Sequence, residues 1–211
     1  MSKTHAARWT RRGILSGAVA ALSRVIAPGF VATATAGAAP AVPAPPLLAG
    51  FVNDLGHPVS AADRVQPYRL VIFGYTTCPD VCPLTLVAVH RALSALGQAG
   101  AEVDPVFVTV DPDRDTIEKI HQYVTAFDGR IRGYRSNDQD LDRLTKSLHV
   151  RFWREALTPD APDYWMSHTS RLFLLGPDDR VRATIEHVDD PNRLAQAITD
   201  AVRGAMKARR P

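Results

Sequence analysis

From Leu70 onward the chain alternates short apolar runs with stretches of helical periodicity, and it closes on a hairpin signal and one last helix. That order constrains the fold more than any other feature. Leu70-Val71-Ile72-Phe73 reads as a buried strand running to Tyr75, and residues 82–96 repeat apolar Leu86, Val89, Leu93 and Leu96 at helical spacing. A strand over 106–110, a helix over 116–127, a short strand over 131–134 and a helix over 140–148 follow. Residues 150–153 suit a further strand. Residues 171–175 and 181–185 pair across Gly176-Pro177-Asp178-Asp179, and residues 191–206 form the closing helix. Near the start, Phe51 to Val59 reads as two short strands around an Asp54-Leu55-Gly56 turn.

Alternation followed by a terminal hairpin predicts an α/β layer fold with a mixed sheet flanked by helices, in a thioredoxin-like arrangement. The segment 154–167 has little periodicity and two prolines, and it is expected to be a long loop of the kind that often carries function.

The N-terminus reads as an address. Thr10-Arg11-Arg12-Gly13-Ile14-Leu15 resembles a twin-arginine export signal, a short apolar stretch follows to Ser23, and residues 32–39 are rich in small side chains suited to a signal peptidase. A disordered basic tail is the plainer reading. An uncleaved anchor, giving membrane association, is also compatible with this stretch. Residues 1–39 are therefore assigned as export signal, 40–47 as a Pro/Ala linker and 48–211 as the folded domain. Export to the periplasm or the outer face of the cytoplasmic membrane implies an oxidising compartment.

The net charge of +3 comes from this segment. Residues 1–50 hold five basic residues and no Asp or Glu; taking those five from the 25 basic residues leaves 20 against 22 acidic ones, a net of −2. A near-neutral domain gives no support for nucleic-acid binding.

The chain has two cysteines, in Phe73-Gly74-Tyr75-Thr76-Thr77-Cys78-Pro79-Asp80-Val81-Cys82-Pro83. Both lie where a strand hands over to a helix, and Pro83 suits a first helical turn. Unpaired N–H groups and the positive dipole end favour thiolate there. Thiolates bind soft metals and exchange disulfides. With two thiolates in the chain, a closed zinc site would need two nearby histidines, whereas Cu(I) accepts two sulfurs and one imidazole. A plain Cys78–Cys82 disulfide staple is the structural alternative.

Of seven histidines, His168 is the best third donor. It ends the long segment and enters the hairpin, which a thioredoxin-like sheet brings beside the cysteine turn. Alone it would read as a loop histidine bonded to backbone. In Val108 to Thr116, Asp113 or Asp115 can cap the following helix and Arg114 can pair with a nearby carboxylate; a rim or docking role is the functional alternative. Phe152-Trp153 and Tyr164-Trp165 are core candidates, part of which can form a contact face.

These residues resemble the Sco/SenC family in the cysteine motif, in Asp111-Pro112-Asp113-Arg114-Asp115-Thr116 and in His168-Thr169, in consistent order from about Phe51 to Gly176. Family members are thioredoxin-fold copper chaperones. The resemblance implies that Cys78, Cys82 and His168 ligate a copper ion. It also implies copper delivery to the dinuclear centre of cytochrome c oxidase or another cuproprotein, or thiol reduction of that centre's cysteines. The chain departs from the family pattern at Gln66-Pro67-Tyr68-Arg69, where Gly-Lys is usual, and at Asp178-Asp179, where Asp-Gly is usual. A thiol–disulfide oxidoreductase using Cys78 and Cys82 as a redox disulfide is the rival from another class. A peroxidase reading would rest on fold analogy alone.

Overall fold

Tyr68–Gly74 forms the central strand β2, all seven residues buried, because it is covered on both faces. A computed structural model describes residues 47–60, 63–158, 163–186 and 189–207. The export-signal assignment and nearly all of the linker lie outside the described residues. Around β2 the elements are β1 (Val52–Asn53), α1 (Val81–Ala95), α2 (Gln98–Ala101), β3 (Val103–Thr109), α3 (Ile117–Phe127), β4 (Arg132–Arg135) and α4 (Asp138–Ser147). Then come β5 (Phe152–Ala156), β6 (Tyr164–His168), β7 (Leu172–Leu175), β8 (Val181–Ile185) and α5 (Pro191–Lys207).

The main sheet runs β1-β4-β3-β2-β7-β8. Strands β2, β3 and β4 are parallel neighbours, while β1, β7 and β8 pair antiparallel. It is the expected mixed sheet. The two-residue side-chain period divides the core. Leu70, Ile72, Phe107, Leu172 and Leu174 face α1, α3 and α5 through Leu86, Val89, Leu93, Ile120, Leu194 and Ile198. Val71, Phe73, Val106, Val108 and Phe173 face the other way, toward Phe51, Leu141, Leu144 and Met166. Each such apolar side chain taken fully from water contributes roughly 1.5–3 kcal/mol.

Strand boundaries differ from the sequence reading by up to three residues, most at the starts of β2 and β3 and at the end of β5. The charged Arg69 and Asp104 explain part of this: they read as strand flanks, yet both are buried within β2 and β3, 3.7 Å apart, and Arg132 also pairs with Asp104. The expected first hairpin reduces to β1 and a single Val52–Pro58 bridge. At the β7–β8 turn, Asp179 stands where glycine is usual and takes a left-handed φ of 57°. Aspartate tolerates that region better than most residues, and an ion pair with Arg64 holds it.

The segment 154–167 departs from expectation. It is largely a two-stranded sheet, β5 with β6, in the register Phe152–His168, Arg154–Met166 and Ala156–Tyr164. This ribbon is separate from the main sheet. Met166 anchors it in the core, while Trp153 and Trp165 stand 49% and 42% exposed.

Candidate metal centre

Cys78 and Cys82 sit where β2 ends and α1 begins. The turn is closed by the Cys78 N–H donating to the Tyr75 carbonyl at 3.2 Å. Asp80, at the N-cap position, makes no side-chain capping bond. The Cys78 sulfur lies where the backbone N–H groups of Asp80 and Cys82 favour its thiolate. Cys82 lies inside the helix's first turn and is 3% exposed. Its seat depends on Gly74: a Cβ there would stand 3.0 Å from the Cys82 sulfur and 2.7 Å from the Phe107 ring.

The two thiols, unbridged in this structure, are not equivalent. A hydrogen bond from Cys82, helped by the helix N–H groups and the Tyr75 hydroxyl, lowers the Cys78 thiol to about 5. Its interaction with Cys78, together with burial, pushes Cys82 well up. At neutral pH the pair is one thiolate and one thiol. In the copper-free, reduced chain, iodoacetamide therefore modifies Cys78 alone, with a half-maximal rate near pH 5 and a plateau through neutral pH. A rate that climbs tenfold per pH unit through pH 8 would contradict this ionisation state.

His168 ends β6 and approaches from the other side, with Nε2 3.7 Å from the Cys82 sulfur. Its Nδ1 lies 3.0 Å from the Thr169 carbonyl oxygen. A carbonyl only accepts, so Nδ1 carries the proton and Nε2 keeps its lone pair on the sulfur side. The reading as a backbone-bonded loop histidine and the reading as a donor are thus both met by one ring. Tyr75 packs edge-on against His168, ring centres 6.3 Å apart. Cys78 and His168 border a common open pocket of about 530 Å³, along with Trp153, Glu155 and Trp165. The three expected donors form a chain, Cys78 to Cys82 to His168. Among the described residues, no three His, Cys, Asp or Glu side chains are drawn together as a ready-made ligand set.

The acidic segment is wired differently from the sequence expectation. Thr116, not Asp113 or Asp115, caps α3, its Oγ1 accepting from the Lys119 N–H at 3.3 Å. Asp115 is fully buried and turns inward. It accepts from the Thr76 N–H (3.1 Å), the Thr76 hydroxyl (2.5 Å) and the Thr109 hydroxyl (2.5 Å), so it ties the cysteine turn to β3. Burial raises its carboxyl above the usual range. Asp113 pairs with Arg154 at the surface, and Arg114 pairs with buried Asp111. His90 and His121 pair with Asp128 and Asp54, away from the sulfurs. His5 and His187 lie outside the described residues. Tyr164, expected as core or contact face, borders the centre, as do Tyr75 and Asp111, to which the sequence reading gave no role of their own; the aromatic next to a cysteine turn was the available signal for Tyr75.

The SCO1/SenC family model matches residues 50–203, which contain every residue of this arrangement. The chain belongs to the SCO1/SenC family. It is 28% identical over 158 residues to the mitochondrial SCO1 homolog 1 of Arabidopsis thaliana, an alignment covering 74% of this chain and 47% of the relative. The chain thus spans about half the length of that relative. Among solved structures, copper-bound ScoI of Arabidopsis thaliana superposes with a TM-score of 0.67 at 25% identity, covering 73% of this chain and 95% of the other. Copper-bound ScoI of Bradyrhizobium japonicum gives 0.62 at 28% identity, covering 72% and 94%. The fold of this SCO1/SenC protein is accordingly the thioredoxin-like one expected from its element order.

Proposed function

We propose that this SCO1/SenC protein is an exported copper chaperone that holds Cu(I) as cargo on Cys78, Cys82 and His168. Its recipient is the copper-bearing subunit of cytochrome c oxidase or another cuproprotein. The observation that carries the reading is the approach of the His168 imidazole, its Nδ1 turned to the Thr169 carbonyl and its Nε2 to the Cys82 sulfur, to the Cys78–Cys82 pair beside a pocket open to solvent. Two sulfurs and one nitrogen suit Cu(I), which soft donors select and which accepts three-coordination. Two neighbours of the same fold are copper-bound proteins. Loading displaces the Cys82 proton, since Cys78 is already ionised at neutral pH. Release then proceeds by ligand exchange, partner donors replacing these three in turn.

Residues 1–39 are assigned to export and 40–47 to a linker ahead of the domain at 48–211, on the sequence signals alone. Among the described residues no helix is long and apolar enough to cross a membrane; membrane association is assigned to the N-terminus from its apolar stretch in the sequence.

The asymmetry of the thiols supports a second reading, reduction of a partner disulfide. The Cys78 thiolate attacks one sulfur of that disulfide, a mixed disulfide forms, and a partner thiolate leaves. Cys82 then loses its proton and attacks the Cys78 sulfur, releasing the partner as a dithiol and leaving a Cys78–Cys82 disulfide. Two electrons pass to the partner, and a dithiol donor restores the pair.

His168→Ala separates the two readings. In anaerobic competition with a Cu(I) chelator, the variant binds Cu(I) at least about tenfold more weakly, while its exchange with a model disulfide is retained. Unchanged Cu(I) affinity would overturn the ligand assignment.

A further inference from the structure

The donors reach the centre on two separate pieces. Cys78 and Cys82 ride on the β2–α1 turn of the main sheet, whereas His168 rides on β6 of the detached ribbon. Met166 packs the ribbon into the core, and the polar side chains that fix one piece against the other come from the Asp111–Asp115 turn. Asp111 is fully buried, its own N–H donating to the Thr109 hydroxyl at 3.0 Å, and that hydroxyl belongs to the Asp115–Thr76 tie described above. One oxygen of Asp111 accepts the Tyr164 hydroxyl at 2.8 Å and the other accepts the Arg114 Nε–H. Arg114 then donates Nη1–H to the Tyr164 carbonyl at 2.9 Å, and its guanidinium carbon sits over the Tyr164 ring, 3.8 Å from its centre. The same guanidinium carbon lies 5.9 Å from the centre of the Tyr75 ring, the ring that packs edge-on against His168.

We propose that Arg114 is a positioning residue for copper binding: it grips Tyr164, the first residue of β6, and thereby sets where His168, the last, stands over the two sulfurs. The inference rests on the reading of Cys78, Cys82 and His168 as copper ligands. Arg114 touches none of these three. Its contacts are to the strand and the ring that locate the imidazole, so its loss alters the nitrogen's contribution and leaves the sulfur pair alone. Only a planar fork can hold the carboxylate of Asp111, the carbonyl of Tyr164 and a ring face at once, which is why lysine is no substitute.

A double-mutant cycle on the full chain tests this. Cu(I) affinity is measured anaerobically for the parent, Arg114→Met, His168→Ala and the double variant. Arg114→Met should weaken binding about tenfold in the parent and less than about twofold once His168 is gone, because the positioned group is then absent. Equal losses in both backgrounds, or no loss in the parent, would overturn the positioning role. Tyr164→Phe, which deletes one hydroxyl, serves where Arg114→Met fails to fold. It should show a smaller loss that also disappears without His168, and a loss that persists there overturns the proposal. A copper-free readout is the imidazole ¹⁵N spectrum of His168: Nδ1-protonated in the parent, shifted toward tautomer averaging in Arg114→Met, with no change counting against the role. Should His168→Ala itself leave affinity intact, the ligand reading fails and takes this inference with it; should His168→Ala weaken binding while Arg114→Met does not, only the positioning role falls.

Discussion

Cys82→Ser lowers Cu(I) affinity by more than the roughly 100-fold that loss of a supporting outer contact costs, while the chain stays folded. A serine hydroxyl fits the 3%-exposed seat beside Gly74 and can donate to Cys78 in place of the thiol, so packing is spared. Its oxygen is a hard donor that Cu(I) does not favour, and the site is left with one sulfur and one nitrogen. Affinity is read from anaerobic chelator competition, and folding from the far-ultraviolet circular dichroism and the denaturant midpoint. A variant that keeps parent-like affinity would mean that copper is held elsewhere. Set beside His168→Ala, the variant also divides the two functions: the serine protein loses both copper binding and disulfide reduction, whereas the alanine protein loses copper binding alone.

Asp115→Ala is expected to cost about 3 kcal/mol or more of folding stability. The carboxylate is fully buried and is the acceptor for one backbone N–H and two hydroxyls, from Thr76 and Thr109. Deleting it strands those donors in a space with no replacement acceptor, and a buried unpaired donor costs about 1–3 kcal/mol. Asp115→Asn keeps one acceptor oxygen and should lose less than half as much. Since Thr76 begins the cysteine turn, the alanine variant also loosens the backbone that presents N–H groups to Cys78. Equilibrium denaturation reports the first effect, and the iodoacetamide pH profile, moving up from pH 5, reports the second. A stability equal to the parent's would show that Asp115 is a surface-type carboxylate after all.

The layout of the main sheet was legible because its strands are continuous apolar runs with turn signals at their ends, and its helices keep a clear apolar stripe. What the sequence obscured has physical causes. The part of β5 from Arg154 onward and most of β6 were read as loop because Pro159 and Pro162 fall between them and because the stretch carries charged and polar Arg154, Glu155 and Ser167. Their alternation is nevertheless present: Tyr164, Met166 and His168 share one face of β6, and Met166 packs into the core. Arg69 and Asp104 could not be read as strand interior, since their burial depends on meeting each other across β2 and β3. Asp115 looked like a helix cap because local sequence cannot say whether a carboxylate faces its helix or the strand behind it.

At the centre itself, spacing located the two sulfurs, and the place of His168 at the entry to the hairpin marked it as the third donor before the family resemblance added to that reading. The division of labour between the sulfurs was not readable, because it comes from Cys82, Asp80 and Tyr75 converging on one atom. Nor was the link from Arg114 to Tyr164, 50 residues apart in the chain.

The most direct test of copper carriage is the stoichiometry of Cu(I) bound anaerobically by the reduced chain against a competing chelator, repeated after oxidation to the Cys78–Cys82 disulfide. One tightly held Cu(I) per chain, lost on oxidation and regained on reduction, is the predicted result. Binding no stronger than that of an ordinary exposed dithiol, or binding that survives oxidation, would contradict the account.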